Sequence, residues 1–246
     1  MIFNRVERLT GSDGIEKLRS ARVILFGTGG VGSWTAEALV RTGIGHLTIV
    51  DADCVAESNI NRQSIAFVST VGQPKVELLK ARLLDINPEA DIVALQARYD
   101  ESTADSYDFN SYDYVVDAID SLRDKALLIN RATRSRARLF SSMGAALKLD
   151  PTRIRVAEFW EVKGCPLAAA LRNRFKRSGV KPSRKFKCVY SDELLANRQT
   201  DEDTSGAMTF GKRQVNGALC HITAIFGFML AGLLVEHRLL RPVIRQ

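Results

Sequence analysis

Apolar residues return along this chain in two rhythms. Short runs at 22–26, 47–50, 91–97, 114–120 and 139–144 have the length of buried strands, and the third alternates through Ile92, Ala94 and Gln96. Between them, apolar positions recur at helical spacing. Residues 31–42 carry Val31, Trp34, Ala38 and Leu39 on one face, the face predicted to pack on a sheet, and stop at Gly43 and Gly45. A second helix is predicted over 75–85, opened by Pro74 and ended by Asn87 and Pro88, and a third over 122–136. Ahead of the first strand, 3–20 reads as a lead-in segment and a short helix over 13–20, with Ser12 as its N-cap. Residues 101–110 read as a short acidic helix or loop.

Strands alternating with crossover helices need parallel neighbours. Residues 1–150 therefore predict an α/β fold, a Rossmann-like, mostly parallel sheet with helices on both faces. From 148–151 onward the pattern changes. Residues 153–159 alternate like an edge or antiparallel strand, 166–177 are helical and basic on one side, and 192–205 form an acidic, turn-rich loop. An apolar helix follows at 217–235, then a short basic tail. Residues 151–246 are expected to be a C-terminal α+β extension packed on the core.

A chain of 246 residues, 46% of them hydrophobic, builds one large domain or one domain with an appendage. The four cysteines, Cys54, Cys165, Cys188 and Cys220, include no close pair. That excludes a Cys-x-x-Cys zinc site and points to a reducing, cytoplasmic setting, in line with an N-terminus that lacks a secretory apolar region. Cys54 and Cys220 read as small apolar residues, Cys165 and Cys188 as incidental or weakly reactive thiols. The 19 residues at 217–235 meet the length of a membrane span, but His221, Thr223 and two glycines interrupt them. Both a buried core or dimer helix and membrane association stay open. Net charge is +7, and eight basic residues with no acid fall between 172 and 187. A run of this kind is most simply a solvated segment; it is also where phosphates of a nucleic acid would be met.

The candidate chemistry begins at 22–32. A β-branched strand, then Gly27, Gly29, Gly30 and Gly32, then a helix form the first turn of a nucleotide-binding unit, in which backbone N–H groups approach phosphates. Asp51 closes the next strand, where a carboxylate meets ribose hydroxyls. Alone, these residues mean a dinucleotide or ATP. Lys75 falls at a helix N-terminus, where a lysine gains from a bound anion; taken singly it reads as a solvated side chain. Asp120 ends a strand in the same crevice and serves either as a helix cap or as a metal ligand.

Gly27-Thr28-Gly29-Gly30-Val31-Gly32, Asp51, Asn59-Ile60-Asn61-Arg62-Gln63, Lys75 and Asp120 together resemble the adenylation domain of the ubiquitin-activating-like superfamily, which includes bacterial activators of sulfur-carrier proteins. The resemblance implies ATP as the nucleotide and transfer of AMP to a carboxylate with loss of pyrophosphate. It implies nucleotide contacts from Gly27, Gly29, Gly30, Gly32, Asp51, Asn59, Asn61, Arg62, Gln63, Lys75, Asp120 and Ser121. Arg62, Lys75 and Asp120 would carry the chemistry, with Mg2+ on Asp120. In the homodimer that the resemblance implies, Arg8, a better match than Arg5, would reach the partner's ATP.

Ser142-Met143-Gly144, Lys148-Leu149-Asp150-Pro151, Cys165-Pro166-Leu167-Ala168, Val189-Tyr190-Ser191 and Asn216-Gly217-Ala218 are similar, in order and spacing, to the tRNA threonylcarbamoyladenosine dehydratase family. With the first half, that likeness covers nearly the whole chain. It implies adenylation of the threonylcarbamoyl carboxylate of tRNA, followed by ring closure. On that reading Arg172, Arg174, Lys176, Arg177, Lys181, Arg184, Lys185 and Lys187 would meet tRNA phosphates. A monovalent cation and a cysteine desulfurase system are further associations of the family. The alternatives are an activator of a ubiquitin-like sulfur carrier and a non-catalytic nucleotide-binding membrane adaptor. Missing zinc and thioester cysteines disfavour the first; intact Arg62, Lys75 and Asp120 disfavour the second.

Overall fold

The computed structural model describes residues 2–198 and 216–240. Seven strands form one sheet: β1 (Arg22–Phe26), β2 (His46–Val50), β3 (Asp91–Leu95), β4 (Tyr114–Asp117), β5 (Arg138–Ser142), β6 (Ile154–Glu158) and β7 (Lys187–Ser191). Their order across the sheet is β3-β2-β1-β4-β5-β7-β6, and every pairing is parallel except β6 with β7. The helices are α1 (Asn4–Arg19), α2 (Gly32–Arg41), α3 (Lys75–Ile86), α4 (Leu122–Arg134), α5 (Pro166–Ser178) and α6 (Cys220–Leu240).

The period of two along β1 divides the core. Val23 and Leu25 face a cluster shared with Leu18, Leu39, Leu79 and Phe226, so α1, α2, α3 and α6 cover that side. Ile24 and Phe26 face the other, shared with Leu128, Ile129, Leu171 and Phe175 from α4 and α5. The parallel sheet is thus buried on both faces, which is why its strands read as apolar runs.

Several boundaries differ from the sequence pattern. The lead-in segment is helical from Asn4, and Gly11, at φ 73°, bends α1 between two helical stretches. The fourth strand stops at Asp117 rather than 120, because the Asp117 carboxylate accepts the Ile119 N–H and turns the chain out of the sheet. Strand β7 has no counterpart in the predicted elements. Its run Cys188-Val189-Tyr190 follows directly on a basic stretch, and it is inserted between β5 and the antiparallel edge strand β6. The expected loop at 192–205 lies outside the described residues beyond 198.

The apolar C-terminal stretch is a core helix on α2. Ile222, Phe226, Leu230 and Leu234, spaced by four, are fully buried, while Phe228 on the outer side is 48% exposed. It starts at Cys220 because the carbonyls of Gly217 and Ala218 are taken by the Leu147 N–H and by Asn61 Nδ2. At its C-terminus Arg238 Nε donates to the Lys17 carbonyl at 2.7 Å.

Helices α2 and α6 approach closely at Gly227. A Cβ there would lie 2.6 Å from the Val31 carbonyl oxygen and 2.9 Å from Trp34 Cβ, and Thr35 Oγ1 donates to the Gly227 carbonyl at 3.2 Å. A Cβ on Gly232, five positions along, would meet nothing within 4 Å. Gly227→Ala is therefore expected to cost about 1–3 kcal/mol in urea unfolding, by overpacking a helix contact. Gly232→Ala should instead gain up to about 1 kcal/mol from helix propensity. Equal effects of the two substitutions would contradict the packing described.

Candidate functional site

Chain order reverses between β1 and β4, and the crevice at the carboxyl ends of those strands is where ligands of open parallel sheets bind. The glycine turn lines it for steric reasons that the geometry makes specific. Gly27 has φ +88°, and a Cβ on it would lie 2.7 Å from the Ala118 carbonyl oxygen; one on Gly32 would fall 1.7 Å from the Gly27 carbonyl oxygen. Gly29 faces Gln63, and Gly30 faces Arg62 and Thr223. No side chain caps the N-terminus of α2; the Ser33 N–H donates to the Gly29 carbonyl at 3.0 Å, and the positive end of the helix dipole faces the crevice, where it favours an anion.

Asp51 fastens this turn. One carboxylate oxygen accepts from Thr28 N at 2.6 Å and Thr28 Oγ1 at 3.0 Å, and the other accepts from Asp53 N at 2.9 Å. Asp53 in turn pairs with Lys75 Nζ at 2.9 Å. Lys75 opens α3, as the sequence pattern indicates, but it is 5% exposed and not the solvated side chain it resembles in isolation. A buried ammonium needs a partner, and Asp53 supplies it.

The polar cluster after β2 is a compact knot. Asn59 Oδ1 accepts from Ala56 N and closes a short 3-10 helix, while Asn61 Nδ2 reaches the Ala218 carbonyl at 2.9 Å. Arg62 Nη1 donates to the Ser58 carbonyl at 2.7 Å and to Asn61 Oδ1 at 2.8 Å. The Arg62 carbonyl accepts from Trp34 Nε1 at 3.1 Å. Burial pulls the Arg62 guanidinium below its ordinary pKa, and the opposing charge of Asp120 pushes it back up. Gln63 is 7% exposed, and its Oε1 has no hydrogen-bond partner in a buried position beside Gly29. Asp120 is exposed on the loop after β4, and Ser121 is the N-cap residue of α4 without a side-chain capping bond.

The second-half motif lies against the same crevice. Lys148 is buried and donates to the Glu193 carbonyl; burial draws its pKa down. The Glu193 carboxylate accepts from Leu149 N and Asp150 N, which holds it below the usual carboxylate range. Leu147, at φ 59°, donates its N–H to the Gly217 carbonyl.

Not every candidate converges there. Arg8 is exposed on α1 and its Nε donates to Asn4 Oδ1. Helix α5 begins at the crevice end, where Gly164 lies against Asp192 and Cys165 approaches Gly144, and it runs toward the opposite end of the sheet. Lys176, Arg177, Lys181, Lys185 and Lys187 are exposed at or leading to that far end, and Arg174 is exposed along α5. Two of the eight basic residues have structural partners. Arg184 donates to the carbonyls of Ala132, Thr133, Ser135 and Ala137 at the C-terminus of α4, and Arg172 donates to the Phe159 carbonyl with its guanidinium over the Phe159 ring. The cysteine reading is inverted. Cys54 and Cys220 are exposed, whereas Cys165 and Cys188 are buried, and burial pushes the Cys188 thiol well up.

Residues that sequence reasoning missed sit one step behind the crevice: Thr28, Asp53, Asp117, Lys125 and Thr223. Thr223 was visible only as a polar interruption of an apolar helix; its side chain packs on Gly30.

The ThiF family profile matches residues 3–237. A tRNA threonylcarbamoyladenosine dehydratase of Bacillus subtilis is 42% identical over 78% of this chain and 74% of its own length. One of Escherichia coli is 38% identical over 92% and 89%. The E. coli tRNA N6-threonylcarbamoyladenosine dehydratase has been solved in complex with AMP and with ATP; the AMP complex superposes with a TM-score of 0.84 at 35% identity, covering 96% of this chain and 93% of that one. The chain belongs to the ThiF family and, within it, to the tRNA threonylcarbamoyladenosine dehydratase family.

Proposed function

We propose that this chain activates the threonylcarbamoyl carboxylate of a modified adenosine in tRNA with ATP and lets it close into a ring. The carrying observation is the convergence of an uncapped helix N-terminus, buried Lys75, Arg62 and Asp120 on one crevice. The full-length likeness to dehydratases seen with AMP and ATP supports this substrate over a carrier protein.

A carboxylate oxygen of the substrate attacks the α-phosphorus, and the bond to pyrophosphate breaks. The carbamoyl group of the same side chain then attacks the acyl carbon, losing a proton, and AMP leaves with the carboxylate oxygen. The sum is a dehydration driven by ATP cleavage. Charge gathers on phosphate oxygens in the first step, so fixed cations at Arg62 and Lys75 are the groups that lower its barrier. The orphaned Gln63 Oε1 offers a buried acceptor for a donor on the nucleotide.

Among the described residues no three His, Cys, Asp or Glu side chains cluster as a metal site. Mg2+ in phosphoryl-transfer sites takes one or two carboxylates and completes its shell with phosphate and water oxygens, so Asp120 beside the cradle fits. Asp120 would hold the ion, which would supply positive charge to offset that of the phosphate oxygens. Arg8 lies outside its own crevice; a second copy of the chain would have to supply it.

Incubation with ATP, Mg2+ and threonylcarbamoylated tRNA is expected to lower the nucleoside mass by one water, and an unchanged mass with folded protein would refute the assignment. Asp120→Ala should lower turnover by about two to three orders of magnitude. The same substitution should leave stability within about 0.5 kcal/mol in urea unfolding.

Exchanging Arg174, Lys176 and Arg177 for Gln should weaken tRNA binding and reduce the log–log salt slope by about 1 for each phosphate that is no longer neutralised. ATP affinity should hold. Equal losses for both ligands would move the tRNA footprint away from α5.

A further inference from the structure

Behind the crevice, between the sheet and α4, lies an ion pair withheld from solvent altogether. Lys125 Nζ stands 2.8 Å from Asp117 Oδ2, and both side chains are 0% exposed. Ser141 Oγ donates to the same carboxylate oxygen at 2.7 Å. Asp117 Oδ1 accepts the Ile119 N–H at 3.1 Å, and Lys125 Nζ donates to the Ile119 carbonyl at 2.9 Å. Both polar groups of one residue in the β4–α4 loop are therefore held by the two halves of one buried pair. That loop carries Asp120 and Ser121, and its Ala118 carbonyl is the atom that Gly27 must clear.

Burying two charges is costly, and well-packed neutral residues of similar volume commonly serve stability as well or better. A pair placed here needs another reason. We propose that Asp117 and Lys125 are positioning residues for the nucleotide site: by fixing the Ile119 peptide they set where Asp120 projects toward a metal-bound phosphate and how closely the loop supports the glycine turn. Neither residue touches the crevice contents. This inference rests on the adenylation reading for the role of Asp120, although the loop geometry itself does not.

The test uses Asp117→Asn/Lys125→Met, which removes both charges at once, with Asp120→Ala for comparison. Hydrogen exchange at Ile119–Ser121 should speed up in the double variant while the strands around it keep their protection. Calorimetry of ATP binding with and without Mg2+ gives the second readout. The gain in affinity on adding Mg2+ should shrink by about tenfold in the double variant and vanish in Asp120→Ala, with affinity in chelator unchanged. Pyrophosphate exchange should lose about tenfold or more in kcat with little change in the KM for ATP.

A folded double variant whose Mg2+ dependence and kcat stay within about threefold of wild type overturns the proposal. If that variant does not fold, Ser141→Ala decides: it removes one hydrogen bond and no charge, so a smaller loss in Mg2+ dependence supports the proposal and none overturns it. Wild-type protein that binds ATP with the full Mg2+ dependence yet exchanges no pyrophosphate refutes the adenylation reading and leaves the positioning inference standing.

Discussion

The crevice depends on how closely the turn between β1 and α2 can lie against the exit of β4. Ala118 N donates to the Phe26 carbonyl at 2.9 Å, and a Cβ on Gly27 would collide with the Ala118 carbonyl. With any side chain there, the two backbones would separate and the first turn of α2 would move off the strand ends. Contact between backbones leaves N–H groups, not side chains, facing the ligand. Two carboxylates then lock the arrangement from either side: Asp51 holds Thr28 from β2, and Asp117 holds Ile119 from β4. The glycines permit the approach; the carboxylates fix it.

The same crevice is closed by residues from the far end of the chain. Helix α6 crosses α2 at Gly227, and this brings Thr223 onto Gly30 and Ala218 onto Asn61. Strands β7 and β6 continue the sheet beyond β5. The nucleotide cradle and the second-half motif are therefore walls of one cleft. Helix α5, with 13 residues, is about 20 Å long and leads from this cleft to the basic far end.

Much of this was legible from local rules. The five strands of the first half, the three helices between them and the edge strand β6 follow from period and punctuation, and Gly27, Asp51, Arg62, Lys75 and Asp120 lie on the loops and helix ends at the carboxyl ends of the strands. Strand β7 was not legible, since its short apolar run Cys188-Val189-Tyr190 follows directly on a basic stretch that reads as a solvated segment. Arg184 read as one of eight equivalent charges, yet the end of α4 gives it four carbonyls. The exposure of Cys54 and Cys220 likewise depends on where the chain passes, which cysteine chemistry alone does not tell. Asp117 and Lys125 were hidden most completely: eight residues apart, they look like a strand-end acid and a helix-surface base.

Lysines show what burial adds to composition. The basic run draws attention to charge density, but among the described residues Lys75, Lys125 and Lys148 are the buried lysines, and all three lie near the carboxyl ends of the strands. Each has a partner: the Asp53 carboxylate, the Asp117 carboxylate and the Glu193 carbonyl. Removing an ammonium from water is expensive, and partners recover that cost only with good geometry. Three such placements at one end of the sheet mean that cations and the loops they hold are oriented before a nucleotide arrives. In the proposed adenylation, where the barrier comes mostly from charge on phosphate oxygens, a cation such as Lys75 that need not reorganise would stabilise the transition state more than a mobile surface lysine. On that proposal, the placement of the buried lysines and of the loops they hold bears on the chemistry more directly than the net charge of +7 does.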